Sequence, residues 1–127
     1  MSKLTRAVLF AVLAVVSYHV QAADLNGTWT ASFDTQVGKQ VYTFEFHVQG
    51  STLTGKANST VADMPTPERA IDSGKVEGNA VSFAETFTFQ GMPLTISYKG
   101  DVAGNDEIHF KREVAGVMEE FVATRKK

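Results

Sequence analysis

Three charged residues stand where a strand would place apolar ones. Val81, Phe83, Phe87 and Phe89 share one parity of a segment whose centre is Glu85; Arg112 falls in step with Ile108 and Phe110; Glu119 falls in step with Val117 and Phe121. A carboxylate or guanidinium among apolar neighbours is costly unless it is paired or kept wet by a cavity. If these segments lie in simple register, the three charges point to one interior. There they would pair with each other or anchor the polar end of a ligand. The competing expectations are a bulge that turns some of them outward, or a position at an open rim.

Other chemistry is poorly supplied. His47 and His109 each sit on the strand face opposite their apolar neighbours, which predicts solvent exposure and no metal site. There is no cysteine and no G-x-S-x-G elbow, so no nucleophile is assigned. Glu85 and Glu119 could be drawn as a glycosidase pair, but a narrow interior would not admit a sugar chain. The expectation is a protein that is not an enzyme and carries no cofactor.

The elements that must position these residues are strands. Val48-x-Gly50-x-x-Leu53, Val76-x-Gly78-Asn79-x-Val81 and Val102-x-Gly104-Asn105-x-x-Ile108 repeat one pattern. In each, a β-branched residue ends one strand, a Gly tolerates positive φ and an alternating run follows, which is a hairpin signal. Reading outward gives eight strands, at 27–34, 39–49, 52–58, 69–76, 80–89, 93–101, 107–114 and 117–125. Tyr42, Phe44, Phe46 and Val48 alternate with Val41, Thr43, Glu45 and His47, as Leu94, Ile96 and Tyr98 do with Thr95, Ser97 and Lys99. The expected architecture is all-β, an eight-stranded antiparallel up-and-down meander closed into a barrel, which removes the two edges. Ser59 to Glu68, with Pro65 and Pro67, is expected to be a connecting loop at a barrel mouth.

Ahead of this domain, Lys3 and Arg6 precede an apolar run from Ala7 to Val16 and the small-residue site Val20-Gln21-Ala22. That pattern predicts a cleaved signal peptide over 1–22 and a single domain over 23–127, secreted or periplasmic in a bacterium. Removing Lys3 and Arg6 from the 12 basic residues, against 14 acidic ones, leaves a net charge of −4. With no basic cluster interleaved with aromatics, nucleic acid is an unsuitable partner. No segment suits insertion in a membrane after cleavage, and a monomer is expected.

Asn26-Gly27-Thr28-Trp29-Thr30 together with Arg125 resembles the calycins, the superfamily of lipocalins, fatty-acid-binding proteins and avidins. The resemblance implies that Gly27, Trp29 and Arg125 close one end of the barrel, with the indole beneath the guanidinium. Leu25-x-Gly27-x-Trp29 followed by Leu53-Thr54-Gly55 is similar to the avidins, but Trp29 is the only tryptophan and the biotin-contacting set is absent. The chain also resembles short bacterial secreted domains of unassigned function, through its G-T-W start, the Tyr98 to Gly104 segment and the final Ala123-x-Arg125.

Two functions follow as expectations. The first is a small, largely apolar ligand held inside the barrel by Phe44, Phe46, Phe83, Phe87 and Tyr98, with Glu85, Arg112 and Glu119 as polar anchors. The second is an accessory or interaction module that meets a protein or polysaccharide on its outer surface, with no internal ligand. An internal cavity of ~300 Å³ or more would favour the first, and a close-packed interior the second.

Overall fold

The computed structural model describes residues 24–127; the expected signal peptide over 1–22 lies outside the described residues. Ten strands follow in chain order: β1 Gly27–Thr35, β2 Gly38–Gln49, β3 Thr52–Val61, β4 Met64–Pro65, β5 Arg69–Ala70, β6 Asp72–Glu77, β7 Ala80–Phe89, β8 Met92–Ala103, β9 Glu107–Val114 and β10 Val117–Arg125. Eight of them form a closed antiparallel ring in which β1, β2, β3, β6, β7, β8, β9 and β10 each pair with the next, and β10 returns to β1. The closing rungs are Trp29 opposite Arg125 and Thr30 opposite Thr124.

The turns take the conformations that their residues favour. Gly50, Gly78 and Gly104 have φ of 65°, 59° and 74°, the left-handed region in which glycine has no Cβ penalty. At the other end of the barrel, Gln90-Gly91 and Ala115-Gly116 place both central residues at positive φ, which matches the twist of paired strands.

The proline segment departs from the expected loop. β3 runs on to Val61, turns through Ala62-Asp63 and returns as β4, which pairs Pro65 with Thr60 and Met64 with Val61. Pro65 is accommodated because β4 is an outer strand, where a missing N–H removes no rung of the ladder. The chain then re-enters beside β3 as β5, and the expected strand over 69–76 is broken by an irregularity between Asp72 and Lys75 with Ser73 at φ 55°.

Alternation delivers the apolar faces to one interior. Tyr42, Phe44 and Phe46 stack along β2 with ring centroids 5.2 and 5.4 Å apart, Phe83 stacks on its cross-strand neighbour Tyr98 at 4.4 Å, and Phe44 meets Phe83 edge-on at 5.7 Å. Phe110 fills the space that Gly100 leaves opposite it; a Cβ on Gly100 would lie 2.7 Å from that ring. Each fully buried large apolar side chain stabilises the fold by about 1.5–3 kcal/mol, so these rings are the main cohesive element. Phe44, Phe46, Phe83 and Tyr98, the expected ligand-lining residues, are among them.

Candidate functional site

The two ends of the barrel differ in chemistry. At one end, Trp29 is fully buried and its indole N–H donates to the Leu25 carbonyl at 3.0 Å. The Arg125 guanidinium lies 4.5 Å from the indole ring, a cation–π contact. Its nitrogens donate to the carbonyls of Asn26 at 2.8 Å, Asp24 at 2.8 Å and Asn105 at 3.0 Å, and Nε lies 3.2 Å from Asp106 Oδ1. The planar fork of arginine suits this task because it can serve several acceptors while its face rests on an aromatic ring. Gly27 leaves room for it, since a Cβ there would stand 3.4 Å from Arg125 Nη1.

Toward the opposite end, called the open end because Glu119 at its rim is partly exposed, the interior becomes polar. Glu85 is fully buried and Arg112 is 2 % exposed, so both point inward. Glu119 is the register partner of Arg112, and its side chain is 18 % exposed. Arg112 Nε donates to Glu119 Oε1 at 2.7 Å, Nη1 to the hydroxyls of Tyr98 and Tyr42 at 3.0 and 3.1 Å, and Nη2 to Gln40 Oε1 at 3.0 Å. The Tyr98 hydroxyl in turn donates to Glu85 Oε1.

A second arginine completes the network. Arg69, on the short β5, donates from Nε to Glu85 Oε2 at 2.6 Å and from Nη2 to the Tyr42 hydroxyl at 3.0 Å. Its Nη1 donates to Thr66 Oγ1 and the Pro67 carbonyl, and its guanidinium lies 5.1 Å from the Phe87 ring. Tyr42 accepts from both guanidiniums and so joins two ion pairs into one unit. Two cations balance two carboxylates, and among the described residues no buried side-chain nitrogen or oxygen lacks a partner. Such a set tolerates burial because every charge is paired and every buried polar atom has at least one partner.

The electrostatic consequences follow from burial and neighbours. Burial and then the charge of Glu85 push the Tyr98 phenol well above its ordinary value. Burial opposes the charge on Arg69, but Glu85 outweighs it and raises its pKa. At the other end Asp106 is held below the ordinary carboxylate value, chiefly by its hydrogen bond to Lys127.

Of the expected site residues, Phe44, Phe46, Phe83 and Tyr98 are buried in contact with one another, and Phe87 is half-buried under Arg69. Glu85, Arg112 and Glu119 belong to one network, but Glu85 and Glu119 are joined through Tyr98 and Arg112 and not directly. His47 and His109 are exposed, and His109 Nε2 lies 3.0 Å from Glu107 Oε1. Arg69, Gln40, Ser59 and Thr66 were not anticipated. Gln40 shares parity with Tyr42 and Phe44, which is a legible signal; Arg69 follows the prolines, where no parity can be carried forward.

A further contrast concerns the hairpin tips. Those at the open end are Gln36-Val37, Ala62-Asp63, Gln90-Gly91 and Ala115-Gly116, and beside them Val37, Met64, Met92 and Met118 are 67 %, 69 %, 69 % and 59 % exposed. The turns at the Trp29 end, Gly50-Ser51, Gly78-Asn79 and Gly104-Asn105-Asp106, carry no exposed large apolar side chain.

No family model matches the chain, no curated protein matches it, and no solved structure matches it.

Proposed function

We propose that this protein is an exported, non-catalytic barrel of the calycin type that acts as an interaction module, docking through its open end onto an apolar patch of a partner protein. One observation carries the reading: exposed large apolar side chains gather on the hairpin tips of one end, Val37, Met64, Met92, Val117 and Met118, while the other end presents glycine, asparagine and aspartate. Exposed apolar side chains scattered singly are ordinary, but several gathered on neighbouring loops mark a surface suited to a partner. Asp34, Asp63 and Glu113 lie close to the tips against Lys39, so the partner's patch is bordered by basic groups. Kinship with the calycins is supported by the Trp29–Arg125 stack and by Gly27 beneath it.

The test is a photo-crosslinking amino acid placed at Met92, with Asn79 at the opposite end as control, in the cell that makes the protein. A partner captured from Met92, not from Asn79, and lost on Met64→Ser plus Met118→Ser supports the reading. Equal capture from both positions, or none, refutes it.

A second reading is a small, largely apolar ligand within the open half of the barrel. Its support is Phe87, half-buried beneath Arg69, with Glu119 partly accessible at the rim. Such a guest would have to displace Arg69 from Glu85. Native mass spectrometry of protein from its own host would reveal it as co-purified mass, reduced by Phe87→Ala.

A further inference from the structure

The outer wall of the barrel carries a row of side chains set by register alone. Lys75 pairs with Ser82, Ser82 with Lys99, Lys99 with Lys111 and Lys111 with Glu120, so these residues form one rung across β6 to β10. The three lysines are exposed and face away from the core. Lys99 and Lys111 are therefore direct cross-strand neighbours of like charge, an arrangement that destabilises a sheet.

No ion pair within 4.0 Å offsets it, although Glu120 is the register partner of Lys111 on its other side. Among the described residues, none of these three ammonium groups has a carboxylate oxygen within 4.0 Å, whereas Lys56 lies 3.6 Å from both Glu45 and Glu68, and Lys127 lies 3.2 Å from Asp106. A chain with more acidic than basic residues has thus set two cations side by side and left them unpaired.

The rung also lies in a concavity. A groove of about 730 Å³ opens on this wall, with the small side chains of Ala80 and Ser82 among the three lysines that line it. Glu77 and Asp101 line it from the next rung toward the closed end, and Glu120 lies beside Lys111. Two adjacent ammonium groups match a single tetrahedral oxyanion, which would offset their mutual repulsion. The Ser82 hydroxyl and the flanking carboxylates match hydroxyl groups, and the same carboxylates repel a densely charged polymer such as nucleic acid.

We infer that this groove binds a sparsely charged anionic glycan, with a phosphate or sulfate ester between Lys99 and Lys111 and sugar hydroxyls against Ser82 and Asp101. The site is separate from the open end and stands whether or not the tips dock a protein.

The experiment is a chemical-shift titration of the whole protein with glucose 6-phosphate, glucose 6-sulfate, inorganic phosphate and glucose, at constant ionic strength. Saturable shifts are expected on β6 to β10 with either sugar ester, weaker shifts with inorganic phosphate and none with glucose. The relative strength of the two esters assigns the anion. Lys99→Gln with Lys111→Gln should weaken ester binding at least tenfold, while Lys99→Arg retains it. Lys99→Gln alone should raise the melting temperature by relieving the repulsion, a change opposite in sign to damage of the fold. Absence of saturable shifts, equal binding by the double glutamine variant, or equally tight binding of an oligonucleotide would overturn the assignment.

Discussion

Arg112 and Glu119 are direct register partners across the last hairpin, with Nε 2.7 Å from Oε1, and this contact carries the interior charge network out to the rim. The network is graded in depth, from the fully buried Glu85 to the partly accessible Glu119. Equivalent changes at its two carboxylates should therefore have unequal cost. Glu85→Gln strands Arg69 in a buried setting and should cost about 3–5 kcal/mol. Glu119→Gln removes the only carboxylate among the described residues within 4.0 Å of Arg112, but water can reach this site and the hydroxyls of Tyr42 and Tyr98 still accept from the guanidinium, so the cost should fall to about 1.5–3 kcal/mol. Urea unfolding of both variants measures the difference, and equal losses would contradict the gradient.

Arg69 holds the chain between β3 and β7, because its contacts reach Glu85 on β7, Tyr42 on β2 and Ser59 on β3. Arg69→Met should speed hydrogen exchange in residues 59–72 more than elsewhere. Combined with Glu85→Gln, it should recover part of the loss, with a coupling of about 1–3 kcal/mol in a double-mutant cycle. Additive losses would mean that the two side chains act independently.

Alkaline stability should depend on Tyr98. Its folded pKa is raised, first by burial and then by Glu85, so the unfolded chain gives up that proton first as pH rises. The stabilisation is complete below about pH 10 and declines as pH climbs from there toward the folded value. Tyr98→Phe should flatten this decline in thermal melts above pH 10, at the cost of a hydrogen bond to Glu85.

The Trp29 end should respond in the opposite direction. Asp106 has a lowered folded pKa, owing first to its hydrogen bond with Lys127, so its contribution is complete above the ordinary carboxylate value and disappears as pH falls below it. Asp24 is lowered too, by its hydrogen bonds with Asn26. Asp106→Asn should reduce the acid sensitivity of melting below about pH 4. Arg125→Lys keeps the charge but loses the fork, and should cost about 2 kcal/mol by leaving the carbonyls of Asp24, Asn26 and Asn105 under-served.

Gly100→Ala tests the packing of the interior. The new methyl carbon would stand 2.7 Å from the Phe110 ring and 2.8 Å from Ile108. Overpacking of this kind should cost about 1–3 kcal/mol. Gly104→Ala, with no atom near its absent Cβ, serves as a turn control whose penalty comes from its φ of 74°.

Much of the barrel was legible because its information is local. Period-two alternation over Tyr42 to Val48 and Leu94 to Tyr98, with Gly50, Gly78 and Gly104 at the expected turns, is enough to lay strands side by side. Simple parity also placed Glu85 and Arg112 inside, since no bulge interrupts β7 or β9 in their pairing with β8. What failed to read was Arg69. A strand that stops, folds back as β4 and re-enters as β5 resets the parity, so the face of Arg69 depends on pairing with β3 that no local pattern announces. The open-end methionines were invisible for a related reason: each is isolated in the chain, and only closure of the ring collects them.

The ring is joined by two rungs between residues nearly a hundred positions apart, Trp29 with Arg125 and Thr30 with Thr124. Closure between segments so far apart in the chain is intrinsically slow. Until β10 meets β1 the molecule is a curled ribbon with two unpaired margins, each a template on which another chain can add a strand. The Arg125 seam is therefore the step at which this molecule stops being a hazard to its neighbours.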